Sequence, residues 1–150
     1  MNNKLYVILL LAVGLLVHFL FFGNPKEVVF DEVHYGKHVN DYLKGTFHFD
    51  GHPPFARMSI AGFSKLLGYK PALSFLQIGE KYSGNQHLIL RFLPTLAGAI
   101  LPLVIYLIMI ELGISPLASF AGGLLIALEN GLLSQSRLLL MDAFLLLYGF

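Results

Sequence analysis

Residues 5–22 are apolar throughout, interrupted only by His18. As a helix at 1.5 Å per residue this run reaches roughly 27 Å, about one bilayer hydrocarbon thickness. Further apolar runs cover residues 88–110, 116–128 and 138–150. A chain with this spacing has to place most of its length in lipid or in a closed core. Composition favours lipid: 56% of the 150 residues are hydrophobic and only 13% are charged, against about a quarter charged in soluble domains. The net charge of +1, with no basic stripe, argues against nucleic acid as a partner. The absence of cysteine excludes disulfides and thiolate metal sites. The first run is long for a signal peptide, and residues 21–25 lack a small-residue cleavage pattern, so it reads as an uncleaved span. The expected fold is an all-α integral membrane protein with about four spans, at 5–22, 88–110, 116–128 and 138–150. The last run reaches the end of the chain without a following loop, so residues 1–150 read as the N-terminal part of one longer transmembrane domain.

Between the first two runs lies a long loop, residues 23–86, and its first half is the most polar part of the chain. Residues 30–54 hold Asp31, Glu32, Asp41 and Asp50, with His34, His38, His48 and His52. Polar chemistry gathered at a water boundary between spans marks a functional site by default. Asp31 and Glu32 emerge directly from Val28-Val29-Phe30, which makes the pair a place to look for a general base, although adjacent acids are a weak motif alone. Residues 33–44 have a loosely helical pattern stopped by Gly45. Pro53 and Pro54 stiffen the turn that follows His52. Residues 55–69 read as an amphipathic interfacial helix, and residues 70–86 as a loop.

His34 and His38, four apart, could chelate on a helix, but the pair lacks the glutamate of a hydrolase signature. No resident metal or other cofactor is assigned, although a divalent cation held by Asp31 or Glu32 with a substrate phosphate stays open. Arg91 and Arg137 lie at apolar boundaries and read either as structural residues or as cations that hold a lipid phosphate. Asp142, inside the last run, needs a partner. Pro94 and Pro102 fall inside the second span, where neighbouring helices can satisfy the freed carbonyls. Ser115-Pro116 reads as an N-cap and first helical residue, the third run is rich in small residues suited to close packing, and residues 129–131 read as a break. The loop carries most of the Lys and Arg, but it is too long for charge bias to fix its side of the membrane.

Residues 30–37 (FDEVHYGK), 44–46 (KGT) and 49–54 (FDGHPP) together resemble the first-loop signature of protein O-mannosyltransferases. Residues 91–94 (RFLP) and 135–142 (QSRLLLMD) are similar to stretches that follow in the same order in that family. Gly51 stands where many members carry a bulkier apolar residue, and Ala56-Arg57 replaces a more usual Gly-Lys or Ala-Lys. The resemblance implies a GT-C type multi-span helical bundle, of the glycosyltransferase 39 class, with a long first extracytoplasmic loop containing short helices. It implies transfer of mannose from polyprenyl (dolichyl) phosphate to Ser or Thr hydroxyls of proteins, with inversion. Asp31 is then expected as base with Glu32 positioning the acceptor, or the reverse. Arg91, then Arg137, would meet the leaving phosphate, and His52, Pro53, Pro54 and Asp142 would shape substrate binding. The implied partners are the lipid-linked sugar, an acceptor polypeptide, the bilayer and a second protomer. The membrane would be the plasma membrane in a prokaryote or the endoplasmic reticulum in a eukaryote. Alternatives are a GT-C transferase moving another sugar onto a lipid, and a non-enzymatic membrane assembly or transport subunit.

Overall fold

The computed structural model describes residues 3–47, 49 and 51–150. Seven helices run in chain order among them: α1 (Asn3–Phe19), α2 (Glu32–Lys44), α3 (Phe55–Leu66), α4 (Gln86–Glu111), α5 (Pro116–Ala127), α6 (Asn130–Ser136) and α7 (Asp142–Gly149). Strand pairing among the described residues amounts to one isolated antiparallel bridge, Glu27 with Lys81.

α4 is the axis of the molecule, packed against α1, α5, α6 and α7. It is the one described helix that is both long and apolar enough to cross a membrane by itself. α1 is apolar but ends at Phe19, before the expected limit at residue 22, because the chain turns over residues 20–23. The third run ends at Ala127 and restarts as α6 after a 55° bend. Glu129 makes that restart: its carboxylate accepts from Gly131 N at 2.9 Å and Leu132 N at 2.6 Å, capping donors that the new helix leaves unpaired. The fourth run is helical only from Asp142, since residues 137–141 form an irregular connection. The expected span limits at 116–128 and 138–150 therefore give way to a bent pair and a short helix.

Close packing explains the small residues. A Cβ at Gly14 on α1 would sit 2.3 Å from Ala99 O on α4, so the two backbones meet where only hydrogen fits. Beside that contact Tyr6, Leu10 and Tyr106 form a buried cluster backed by Phe120.

The polar loop has its own core. Val28, Val39, Ile60, Ala61, Tyr69, Phe75 and Tyr82 pack together and continue onto Leu90 of α4, Leu139 and Phe144. α2 stops where expected, at Gly45 with φ 69°, a left-handed conformation glycine adopts without Cβ strain. The two ends of the loop are drawn together by Val28 N donating to Glu80 O (2.8 Å), Gly79 N to Val28 O (2.8 Å) and Tyr82 N to Lys26 O (3.2 Å). Asn40, buried on α2, donates to Leu73 O at 2.8 Å and accepts from Tyr69 Oη at 3.1 Å, tying the loop's return path to α2.

Candidate active site

The turn into α2 decides where the two adjacent acids go. Val28 is held by its backbone hydrogen bonds to Glu80 and Gly79, and Phe30 follows at φ 49°, left-handed and unfavourable for a bulky residue. Asp31 is the N-cap of α2 and its carbonyl accepts from His34 N and Tyr35 N. Glu32, one position on, turns inward and is fully buried.

Five hydrogen bonds converge on the Glu32 carboxylate. Arg91 Nε donates to Oε1 at 2.7 Å and Arg91 Nη2 to Oε2 at 2.7 Å, a bidentate pair. Leu139 N donates to Oε1 at 2.8 Å, Val29 N to Oε2 at 3.0 Å and Tyr82 Oη to Oε2 at 3.4 Å. Arg91 is also fully buried, and its remaining donors hold Pro25 O at 2.7 Å and Glu27 O at 2.9 Å. The ion pair thus joins the start of the loop, α2, α4 and the connection before α7. Tyr82 lies beneath the guanidinium, its centroid 5.4 Å from Arg91 Cζ. Burial raises the Tyr82 phenol well above its usual value and the neighbouring Glu32 charge adds to the rise, so it stays a neutral donor.

Asp31 faces the other way. It lines an open cleft of about 460 Å³ whose helical side is Asp31, His34, Tyr35 and His38 and whose opposite side includes Phe49, Gly51 and His52. A neighbouring, mostly apolar cavity of about 410 Å³ is bounded by Pro53, Phe55, Met141, Asp142, Phe144 and Tyr148. Tyr35 and His52 line both spaces. The Tyr35 phenol is raised first by burial, then by the charges of Asp142 and Asp31, with Arg57 opposing. Asp142 is exposed at the start of α7, in the second cavity with His52 and Pro53.

The structure therefore brings Asp31, His52, Pro53 and Asp142 around two adjoining spaces, and separates them from Glu32 and Arg91. Arg137 is also engaged elsewhere. Its Nε donates to His18 O at 3.3 Å and its Nη2 to Val17 O, satisfying carbonyls left unpaired at the end of α1. Neither arginine presents its guanidinium to the cleft, the role expected for a phosphate-binding cation. Pro54 is the N-cap of α3 and sets the direction in which that helix leaves the turn. Asp50 and His48 lie outside the described residues. Among the described residues no group of three or more His, Asp or Glu side chains is arranged to hold a metal ion. Tyr35, Tyr82 and Arg57 are the side chains that reading the sequence passed over as site residues. Tyr82 sits fifty positions from Glu32, and no local pattern marks it.

The family model described as dolichyl-phosphate-mannose-protein mannosyltransferase matches residues 8–150. Protein O-mannosyltransferase 1 of Drosophila melanogaster is 41% identical over 143 residues, covering 95% of this chain and 16% of that protein. Dolichyl-phosphate-mannose–protein mannosyltransferase 4 of Schizosaccharomyces pombe is 39% identical over 145 residues, covering 95% of this chain and 19% of that protein. Among solved structures, the S. cerevisiae protein O-mannosyltransferase Pmt1-Pmt2 complex bound to the sugar donor superimposes with a TM-score of 0.94 at 30% identity, over 99% of this chain and 20% of that one. The chain thus spans a fifth or less of the length of these relatives. With the family model covering nearly its whole length, the chain belongs to the dolichyl-phosphate-mannose–protein mannosyltransferase family.

Proposed function

We propose that the full protein transfers mannose from a polyprenyl phosphate to Ser or Thr hydroxyls of proteins, and that residues 1–150 supply its base. The observation that carries the assignment is the opposite fate of two adjacent acids. Glu32 is closed off by five hydrogen bonds to Arg91, Leu139, Val29 and Tyr82. Asp31 lines the cleft. A base has to reach the proton it removes, and Asp31 is the acid of the pair with access.

In this mechanism the acceptor hydroxyl oxygen attacks C1 of the sugar and its proton passes to the Asp31 carboxylate. The C1–O bond to phosphate breaks with inversion, and its electron pair leaves on the polyprenyl phosphate. That leaving group is already anionic and needs hydrogen-bond donors more than an acid. Those lining the cleft are the imidazoles of His34, His38 and His52 and the Tyr35 phenol; Arg91 braces the backbone at the start of the loop and Arg137 the end of α1. Asp142 and the Pro53-Pro54 turn bound the adjoining cavity, which suits the acceptor side. The apolar helices α1, α4 and the bent α5–α6 pair lie in the bilayer, and the 23–86 loop lies on the extracytoplasmic face.

The test uses the full-length protein in membranes with polyprenyl-phosphate mannose and a Ser/Thr peptide. Asp31→Asn is expected to lose transfer by about a hundredfold or more while remaining folded. A folded Asp31→Asn protein with wild-type turnover would overturn the base. Transfer by the wild type to a lipid in place of the peptide would replace the acceptor.

A further inference from the structure

The two sides of the Asp31 cleft come from different elements. α2 and its N-cap supply Asp31, His34, Tyr35 and His38, and the turn before α3 supplies Gly51 and His52. One side chain of α3 connects them. Arg57 is 1% exposed, and its Nη1 donates to His38 Nδ1 at 3.0 Å. Its Nη2 donates to His52 O at 2.7 Å and lies 3.4 Å from Pro53 O.

We propose that Arg57 is a positioning residue, which sets the width of the cleft by tying the His52–Pro53 turn to His38 and so fixes how the acceptor hydroxyl meets Asp31. This rests on the reading of Asp31 as the base. A guanidinium carries donors only, so His38 Nδ1 must accept, and the proton of the neutral ring sits on Nε2. Protonated His38 cannot keep the contact. The planar fork is what allows one side chain to serve acceptors on two elements at once. A lysine ammonium is a point donor on a flexible stem and holds one side at the expense of the other. Burying a guanidinium carries a desolvation cost, which the hydrogen bonds to His52 O and Pro53 O offset in part. The Pro53-Pro54 pair stiffens the turn, but stiffness does not fix its distance from α2.

The test compares wild type, Arg57→Lys and Arg57→Met in the full-length protein in membranes. The readouts are kcat and KM for mannose transfer and amide hydrogen exchange at Gly51, His52 and Phe55. Arg57→Met is expected to lower kcat by on the order of a hundredfold, the penalty for a misplacement of about 1 Å, with KM for the lipid-linked donor little changed. Exchange at the three amides should rise while α1 and α4 stay protected, and Arg57→Lys should recover part of both. Wild-type kcat with wild-type exchange in Arg57→Met overturns the proposal. So does a loss of kcat accompanied by a uniform rise in exchange through α1 and α4, which marks a general stability role. If the wild type transfers no mannose, the reading of the reaction fails, and the amide exchange still decides the clamp: unchanged protection in Arg57→Met overturns it.

Discussion

Glu32→Gln is the substitution that most sharply tests how the site is built. It keeps the shape of the side chain and removes its charge. The carboxylate now accepts from Arg91 Nε and Nη2 at 2.7 Å, from Leu139 N at 2.8 Å and from Val29 N at 3.0 Å. An amide can keep the acceptors of one oxygen, but its NH2 then faces donors. Arg91, fully buried, is left without a counter-charge. Removing one partner of a buried pair costs about 3–5 kcal/mol, a large part of the roughly 5–15 kcal/mol that holds a domain folded. At 1.4 kcal/mol per factor of ten, the locally opened population should rise by between about a hundredfold and a few thousandfold.

Hydrogen exchange in the full-length protein reads that population, in peptides covering Val29 and Leu139, whose amides donate to Glu32. Both should lose protection together, although they lie at opposite ends of the site in sequence. Adding Arg91→Met should return about 0.5–3 kcal/mol of coupling, but not the whole loss, because Pro25 O and Glu27 O then lose their donor. Asp31→Asn should leave both peptides protected. Wild-type protection in Glu32→Gln, with transfer selectively lost, would refute the structural role and return Glu32 to the chemistry.

Gly14→Val should prevent stable accumulation of the protein, since the new Cβ would stand 2.3 Å from Ala99 O, a backbone atom that cannot move aside; folded yield in detergent checks this, and a wild-type yield would mean α1 does not pack as described. Burial pushes the Tyr69 phenol up to about 12, above the ordinary value near 10. Its neutral form is therefore favoured by folding, and the stability it contributes is intact below pH 10 and lost as pH rises from about 10 to 12. Tyr69→Phe should flatten that alkaline loss while costing about 1 kcal/mol at neutral pH for the hydrogen bond to Asn40; unfolding midpoints across the pH range would show the crossing, and parallel curves would contradict it.

Local features of the fold were legible and distant ones were not. The stop of α2 at Gly45, the start of α3 after Pro53-Pro54 and the length of α4 follow from turn chemistry and apolar periodicity, which act within a few residues. The bend after Ala127 had its signal in Glu129-Asn130-Gly131. The loss of helix over residues 137–141 had none: there Leu139 N is taken by Glu32, 107 positions away. The partners of the two arginines were hidden for the same reason. A guanidinium at an apolar boundary reads in sequence either as a structural residue or as a phosphate clamp, and nothing nearby marks backbone carbonyls 64 to 120 positions away as its acceptors.

The adjacency of the two acids is itself informative. Successive residues at a helix start point about 100° apart, so when one member of an Asp-Glu pair enters the core its neighbour is turned out of it. A buried Glu32–Arg91 pair therefore fixes the rotation of α2 about its own axis, and with it the direction of Asp31. Because Arg91 sits on α4, that rotation is referred to the longest helix of the molecule, not to the loop. The cost of burying two charges makes sense on this footing. An apolar pair could have filled the volume, but would have held α2 without the directional hydrogen bonds that stop it turning. Asp31 then needs no brace of its own, and its carboxylate is left to the cleft.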